Sequence, residues 1–303
     1  MTVGMERIDG RVALVTGGGR GIGRAIALAL AEAGATVAVD DLFADENGVI
    51  AAQAVVDEIT ANGGRGIALR EDVTSEEGAQ AMVDAVVAEF GRLDILVNCA
   101  GNVVKADVVD LTLAQWESVM NLHLRGHFLA SRAAAREMLK HNWGRIVTVG
   151  SRGAFWEVPA NKTIARTDPR KPSSAAYAAA KAGVMAFSST MAIELWETGV
   201  NVNCLLPSAN TQLFPGTKTN STGGMPPASS MEPEFVAPLI VYLSGDLSKD
   251  VSGKFFYASG GDICLYSQPF NLPGGGSIVR TDGKWEPKQI ASVLSGMIGV
   301  DAP

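Results

Sequence analysis
The run RVALVT at 11–16 passes straight into the glycines of Thr16-Gly-Gly-Gly-Arg-Gly-Ile-Gly23, and no other stretch constrains the fold as much. A short apolar run reads as a buried strand, and the periodic pattern over 22–33 reads as a helix. Glycines between the two allow a tight turn and a close approach of the backbone to a ligand. A helix that starts there favours negative charge at its first turn. Gly17, Gly21 and Gly23 follow G-x-x-x-G-x-G, a variant of the turn that holds a dinucleotide pyrophosphate, with Arg20 and Ile22 inside it. Alone, such a turn is equally a plain bend; the strand before it and the helix after it make it a nucleotide site.

The same alternation continues. Strand patterns at 35–40, 66–70, 93–97, 144–149 and 200–206 are separated by helical patterns at 49–61, 76–90 and 113–141 and by the helix of Tyr177. Short apolar runs between helices imply a parallel sheet covered on both faces. Right-handed crossovers then give an α/β fold of the Rossmann type, a doubly wound sheet. The expected organisation is a single domain over 1–261. It carries an insertion loop at 155–172, a substrate loop at 207–233, and a Gly/Pro-rich extension, 262–303, packing on the same domain.

Composition removes several functions. The chain of 303 residues is 47% hydrophobic and 19% charged, with a net charge of −7. A nucleic-acid binder needs a cationic surface, so no nucleic-acid partner is expected. Cys99, Cys204 and Cys264 are scattered and odd in number, which fits a reducing compartment without a disulfide framework. None stands at metal-ligand spacing from another ligand, so no metal is expected. The N-terminus lacks an apolar signal core, and the apolar stretch 25–39 is broken by Glu32 and Gly34. The C-terminus shows no peroxisomal or retention signal. These features predict a cytoplasmic protein with no membrane partner.

Around the glycine turn, Asp41 follows the second strand. A carboxylate there accepts bonds from the ribose hydroxyls of adenosine and repels a 2′-phosphate, so NAD is favoured over NADP. Asp40 adds negative charge; Arg20 is the contrary sign, since it could reach a phosphate. Asp72 and Val73 follow the third strand, where they could hold the adenine; Asp72 is alternatively a turn or cap residue. Asn98, Ala100 and Gly101 end the fourth strand with small residues that let a cofactor pack close.

Tyr177 and Lys181 stand at i and i+4 in an Ala-rich helix and share one face. An ammonium beside a phenol favours the phenolate, which predicts a tyrosine that trades protons near neutral pH. Y-x-x-x-K alone is equally a buried tyrosine beside an incidental lysine.

Together these pieces resemble the short-chain dehydrogenase/reductase family over about 10–261. The resemblance rests on TGGGRGIG at 16–23, NCAG at 98–101, Ser151 after the fifth strand and YAAAK at 177–181. It implies hydride transfer between a nicotinamide and an alcohol or carbonyl. Ser151 would bond the substrate oxygen, Tyr177 would move its proton, and Lys181 would hold the nicotinamide ribose. Pro207 begins the loop near the nicotinamide, but Ser208 stands where the family usually has glycine. The family also implies a homodimer or homotetramer.

Two departures point at the substrate. His123 occupies the place of the asparagine that usually holds a relay water, counting from Trp116. It either takes over that task through a ring nitrogen or simply packs. Asn121 falls out of register and should face elsewhere. His123-Leu-Arg-Gly126, Val39-Asp-Asp-Leu42 and Pro207-Ser-Ala-Asn210 resemble the subgroup of (3R)-hydroxyacyl-CoA dehydrogenase domains found in peroxisomal multifunctional enzymes of type 2. The second departure is the separation from Ser151 to Tyr177, about twice what the family usually has. The inserted loop carries Lys162, Arg166, Arg170 and Lys171. These cations either meet an anionic substrate such as coenzyme A or lie on a solvated loop. The expected substrate is a 3-hydroxyacyl thioester; the alternatives are a hydrophobic secondary alcohol or, without turnover, a nucleotide-binding regulator.

Overall fold
The computed structural model describes residues 7–155, 174–215 and 229–266. The first strand shows why the sheet is covered twice. All five residues of β1 (Val12–Thr16) are buried. Val12 and Leu14 enter one apolar cluster, Ala13 and Val15 the other. Side chains leave a strand on alternate faces, so a strand apolar throughout needs two covers. On one face, α1 (Gly21–Glu32), α2 (Ala51–Ala61) and α7 (Ala237–Ser244) contribute Ile26, Leu30, Ile59 and Ile240. On the other, α3 (Glu76–Phe90), α5 (Gly126–Leu139) and the far end of α6 (Ala175–Glu194) contribute Met82, Leu129, Met138 and Met191.

The remaining strands are β2 (Thr36–Asp40), β3 (Arg65–Leu69), β4 (Ile95–Asn98), β5 (Gly144–Val149), β6 (Val200–Pro207), β7 (Phe255–Ser259) and β8 (Asp262–Tyr266). Their order is β3-β2-β1-β4-β5-β6-β7-β8. All neighbours are parallel except β7 and β8, which pair antiparallel. The order reverses between β1 and β4, which opens a crevice at the carboxyl ends of the strands. The expected doubly wound sheet is therefore present. The extension's first residues form β8; residues 267–303 lie outside the described residues, as do 156–172 of the insertion, the adjoining Ser173, and 216–228 of the substrate loop.

Caps fix where helices begin. Ser75 accepts from Gly78 N–H at the start of α3, and Gly91 ends that helix at φ +80. Ser174 accepts from Tyr177 N–H at 3.2 Å, which holds the first turn of α6 in place. The long pattern over 113–141 is not one α-helix. α4 (Leu113–Met120) and α5 are joined by a π-helical turn at Asn121–Arg125. A π turn holds one residue more than an α turn, so the apolar pattern steps by one residue between two stretches that each keep the helical period.

Candidate active site
The cofactor end is built mostly from backbone. Gly17 (φ +62) packs so tightly that an added Cβ would lie 2.6 Å from Ala100 Cα. A Cβ on Gly23 would lie 2.1 Å from the Gly17 carbonyl oxygen. Arg20, the N-cap of α1, gives it no side-chain cap, and no acidic residue stands in the first turn. The first N–H groups of α1 are thus uncapped by side chains, which suits the pyrophosphate of a dinucleotide. Asp41 closes the other side: its carboxylate accepts from Gly19 N–H at 3.0 Å and Phe43 N–H at 2.9 Å. Each carboxylate oxygen keeps a lone pair for a ribose hydroxyl. The residues present therefore fit a nicotinamide dinucleotide. Ile22 packs against the core behind the turn.

Asn98, Asp72 and Val73 each have partners within the protein. The Asn98 amide is buried and donates to Ser131 Oγ at 2.8 Å, so it braces α5 against β4. Asp72 accepts from Thr74 N–H at 2.8 Å, the turn geometry ahead of α3, and Val73 is buried in the core beside Gly126. Asp40 faces inward and accepts from Glu71 N–H at 2.8 Å, tying β2 to the end of β3. Burial pushes its carboxyl up to about 7.

Ser151, Tyr177 and Lys181 meet where β5 and α6 converge. Ser151 follows β5 and accepts from Gly153 N–H at 3.0 Å, and its hydroxyl favours the phenolate of Tyr177. Lys181 is 3% exposed, donates to the Val149 carbonyl at 2.5 Å and lies 5.8 Å from the Tyr177 ring centre. The expected lowering of the tyrosine pKa is not what this arrangement produces. Burial pushes the phenol up to about 12, against a smaller opposing effect of the Ser151 hydroxyl. Burial likewise brings the Lys181 ammonium down to about 8. For both groups the loss of water is the largest effect.

His123 lies against this pair and Asn121 is exposed, as the register implied. The His123 ring meets the Tyr177 ring edge-on at 5.3 Å. Its Nε2 sits 2.8 Å from the Asn102 carbonyl and 3.2 Å from the Asn102 amide nitrogen. Burial holds its pKa at about 3, so it is a neutral imidazole. Sequence reading passed over His127, which is also buried and held neutral by burial. The signal was there: His123, His127 and Ser131 recur every fourth residue, a polar stripe on one helix face. His123 Nδ1, His127 Nε2 and Asn102 Oδ1 find no hydrogen-bond partner among the described residues.

Thr211 and Phe214, in the loop that begins at Pro207, return toward the site. Pro207 ends β6 beside Ala258, and the chain beyond it returns over α1, with Thr211 Cγ2 3.3 Å from the Cβ position of Gly21. Phe214 reaches the Tyr177 ring edge-on at 6.0 Å. With Val103, Val104, Leu111 and Met120 it gives the tyrosine an apolar surround. The three cysteines are free. Among the described residues no group of three or more His, Cys, Asp or Glu could hold a metal. No described helix is long and apolar enough to cross a membrane.

A family model for short chain dehydrogenases matches residues 11–218. The chain is 34% identical over 258 residues to the peroxisomal multifunctional enzyme type 2 of Mus musculus, covering 84% of this chain and 32% of that protein, so it spans less than half of that relative. It is 33% identical over 259 residues to a hydroxy(phenyl)methylsuccinyl-CoA dehydrogenase subunit of Thauera aromatica, covering 84% of this chain and 97% of that one. A short chain dehydrogenase from Mycobacterium avium superposes with a TM-score of 0.80 at 33% identity, over 98% of this chain and 97% of that one.

Proposed function
The chain belongs to the short-chain dehydrogenase/reductase family, and on that premise we propose that it oxidises a 3-hydroxyacyl-CoA-type alcohol, reversibly, with NAD. As a member of this family it is an oxidoreductase acting on a secondary alcohol or a ketone. The observation that carries the reading is buried Lys181, 5.8 Å from the Tyr177 ring centre, with the Ser151 hydroxyl favouring the ionised form of the same phenol. Asp41 at the ribose position supports NAD. The Thauera relative, named for a CoA thioester, supports the substrate class. The apolar surround of Tyr177 favours a second reading, a hydrophobic secondary alcohol without a carrier. A cytoplasmic homodimer or homotetramer is the assembly we propose; exposed Phe128 and Leu139 on α5 support a subunit contact.

Bound NAD supplies the hydride acceptor and, when oxidised, a positive charge. The chain does the rest. Uncapped amides of the glycine turn would hold the pyrophosphate, Asp41 the adenosine ribose and Lys181 the nicotinamide ribose. The Ser151 hydroxyl donates to the substrate oxygen and stabilises charge developing there. Tyr177, as phenolate, takes the hydroxyl proton. A phenol at about 12 costs on the order of 7 kcal/mol to ionise at pH 7. The nearby positive charges must offset most of that, which couples proton removal to cofactor occupancy.

Tyr177→Phe tests the assignment. Turnover of a hydroxyacyl-CoA should fall about 10²–10⁴-fold, while calorimetry shows NAD bound as before. A variant that kept most of its turnover would sink the role. Comparing NADH formation from hydroxyacyl-CoAs and from steroids or aryl alcohols separates the two substrate readings.

A further inference from the structure
Two ties link the glycine turn to the loop after β2. The first is polar: the Asp41 carboxylate bonds Gly19 N–H on one side and Phe43 N–H on the other. The second is not. The Arg20 guanidinium lies flat over the Phe43 ring, 3.6 Å from its centre. Phe43 is 41% exposed, a large apolar ring at the surface whose face is occupied by a cation. Arg20 makes no ion pair among the described residues, so this stack is what holds it. It also stands immediately before Gly21, beside the uncapped start of α1. A guanidinium free to turn from there is well suited to grip a phosphate with two parallel bonds.

We propose that Phe43 is a specificity residue for the adenosine end of the cofactor: by stacking with Arg20 it withholds that cation from a 2′-phosphate, so the site takes a dinucleotide with free ribose hydroxyls. The inference rests on the NAD reading and deepens it. Asp41 repels the phosphate, and Phe43 withholds a neighbouring cation that would welcome it. Truncating the ring leaves the Phe43 amide in place, so the bond to Asp41 survives and the ribose contact is unaltered.

The test is calorimetric titration of the wild-type protein, Phe43→Ala, Arg20→Ala and the double variant with NAD+, NADP+, 5′-AMP and 2′,5′-ADP. Phe43→Ala should bind NADP+ and 2′,5′-ADP about two- to fivefold tighter, the scale of an exposed cation–π contact. NAD+ and 5′-AMP should bind as in wild type. The gain should vanish in the double variant. No gain, or a gain that survives the loss of Arg20, would overturn the role of Phe43. Wild-type protein that binds NADP+ tighter than NAD+ would overturn the NAD reading itself, and that outcome is seen without any variant.

Discussion

The two ends of the site are made of different material. At the glycine turn, the fit depends on backbone: Gly17 against Ala100, Gly23 against Gly17, and unspent N–H groups at the start of α1. Around Tyr177, it depends on side-chain surroundings: a buried lysine, an imidazole edge, and Phe214 closing over the ring. A backbone site is all-or-none, because a Cβ either fits or collides. A side-chain site is graded, because each neighbour changes a pKa or a packing contact by a finite amount.

That difference can be broken or sharpened by substitution. The largest effect should come from Gly23→Ala. Its Cβ meets the Gly17 carbonyl at 2.1 Å, so the turn itself must move. Overpacking of this kind costs about 1–3 kcal/mol, or roughly ten- to a hundredfold in NAD affinity, read by calorimetry. Affinity within twofold of wild type would mean the turn yields like a side chain. Next comes His123→Leu, which strips the Asn102 backbone of its partner and removes the imidazole from Tyr177. The lost bond should destabilise by about 1–3 kcal/mol, and turnover should fall about tenfold, below the full reach of direct acid–base catalysis. Loss of stability with turnover intact would reduce His123 to packing.

The smallest effect crosses the boundary, since the backbone end hides one graded group. The Asp40 carboxyl, at about 7, lies above its ordinary 3.8. The folded state therefore keeps a proton the unfolded chain has released, and stability falls as pH rises from about 4 to about 7. Asp40→Asn retains an oxygen for Glu71 N–H and removes the charge. It should raise Tm at pH 8 by a few degrees, roughly 2–4 °C per kcal/mol recovered, with no gain at pH 4. An equal shift at both pH values would show that Asp40 ionises normally.

Legibility followed the same line. The doubly wound sheet and the strand-turn-helix at Gly17–Gly23 were readable because glycine positions and apolar periods report backbone geometry directly. The direction of the Tyr177 shift was not. Spacing placed an ammonium beside a phenol, but it says nothing of how much water both lose. Asn98 turned inward to Ser131 for a similar reason: a small polar residue at a strand end looks the same whether it faces a ligand or braces a helix. Thr211 and Phe43 were hidden because each meets its partner through tertiary return of the chain. His127 was visible as a four-residue repeat with His123 and was passed over.

The π turn between α4 and α5 bears on how this chain tolerates changes of length. It already carries one residue more than an α-helical turn would. Removing a single residue there would swing α4 relative to α5 by about 100°. Val119, now buried beside Tyr177, would be carried off the catalytic face. Homologues could exchange nearly any exposed residue in this stretch, yet the phase of the two helices makes its length a sharper constraint than its composition.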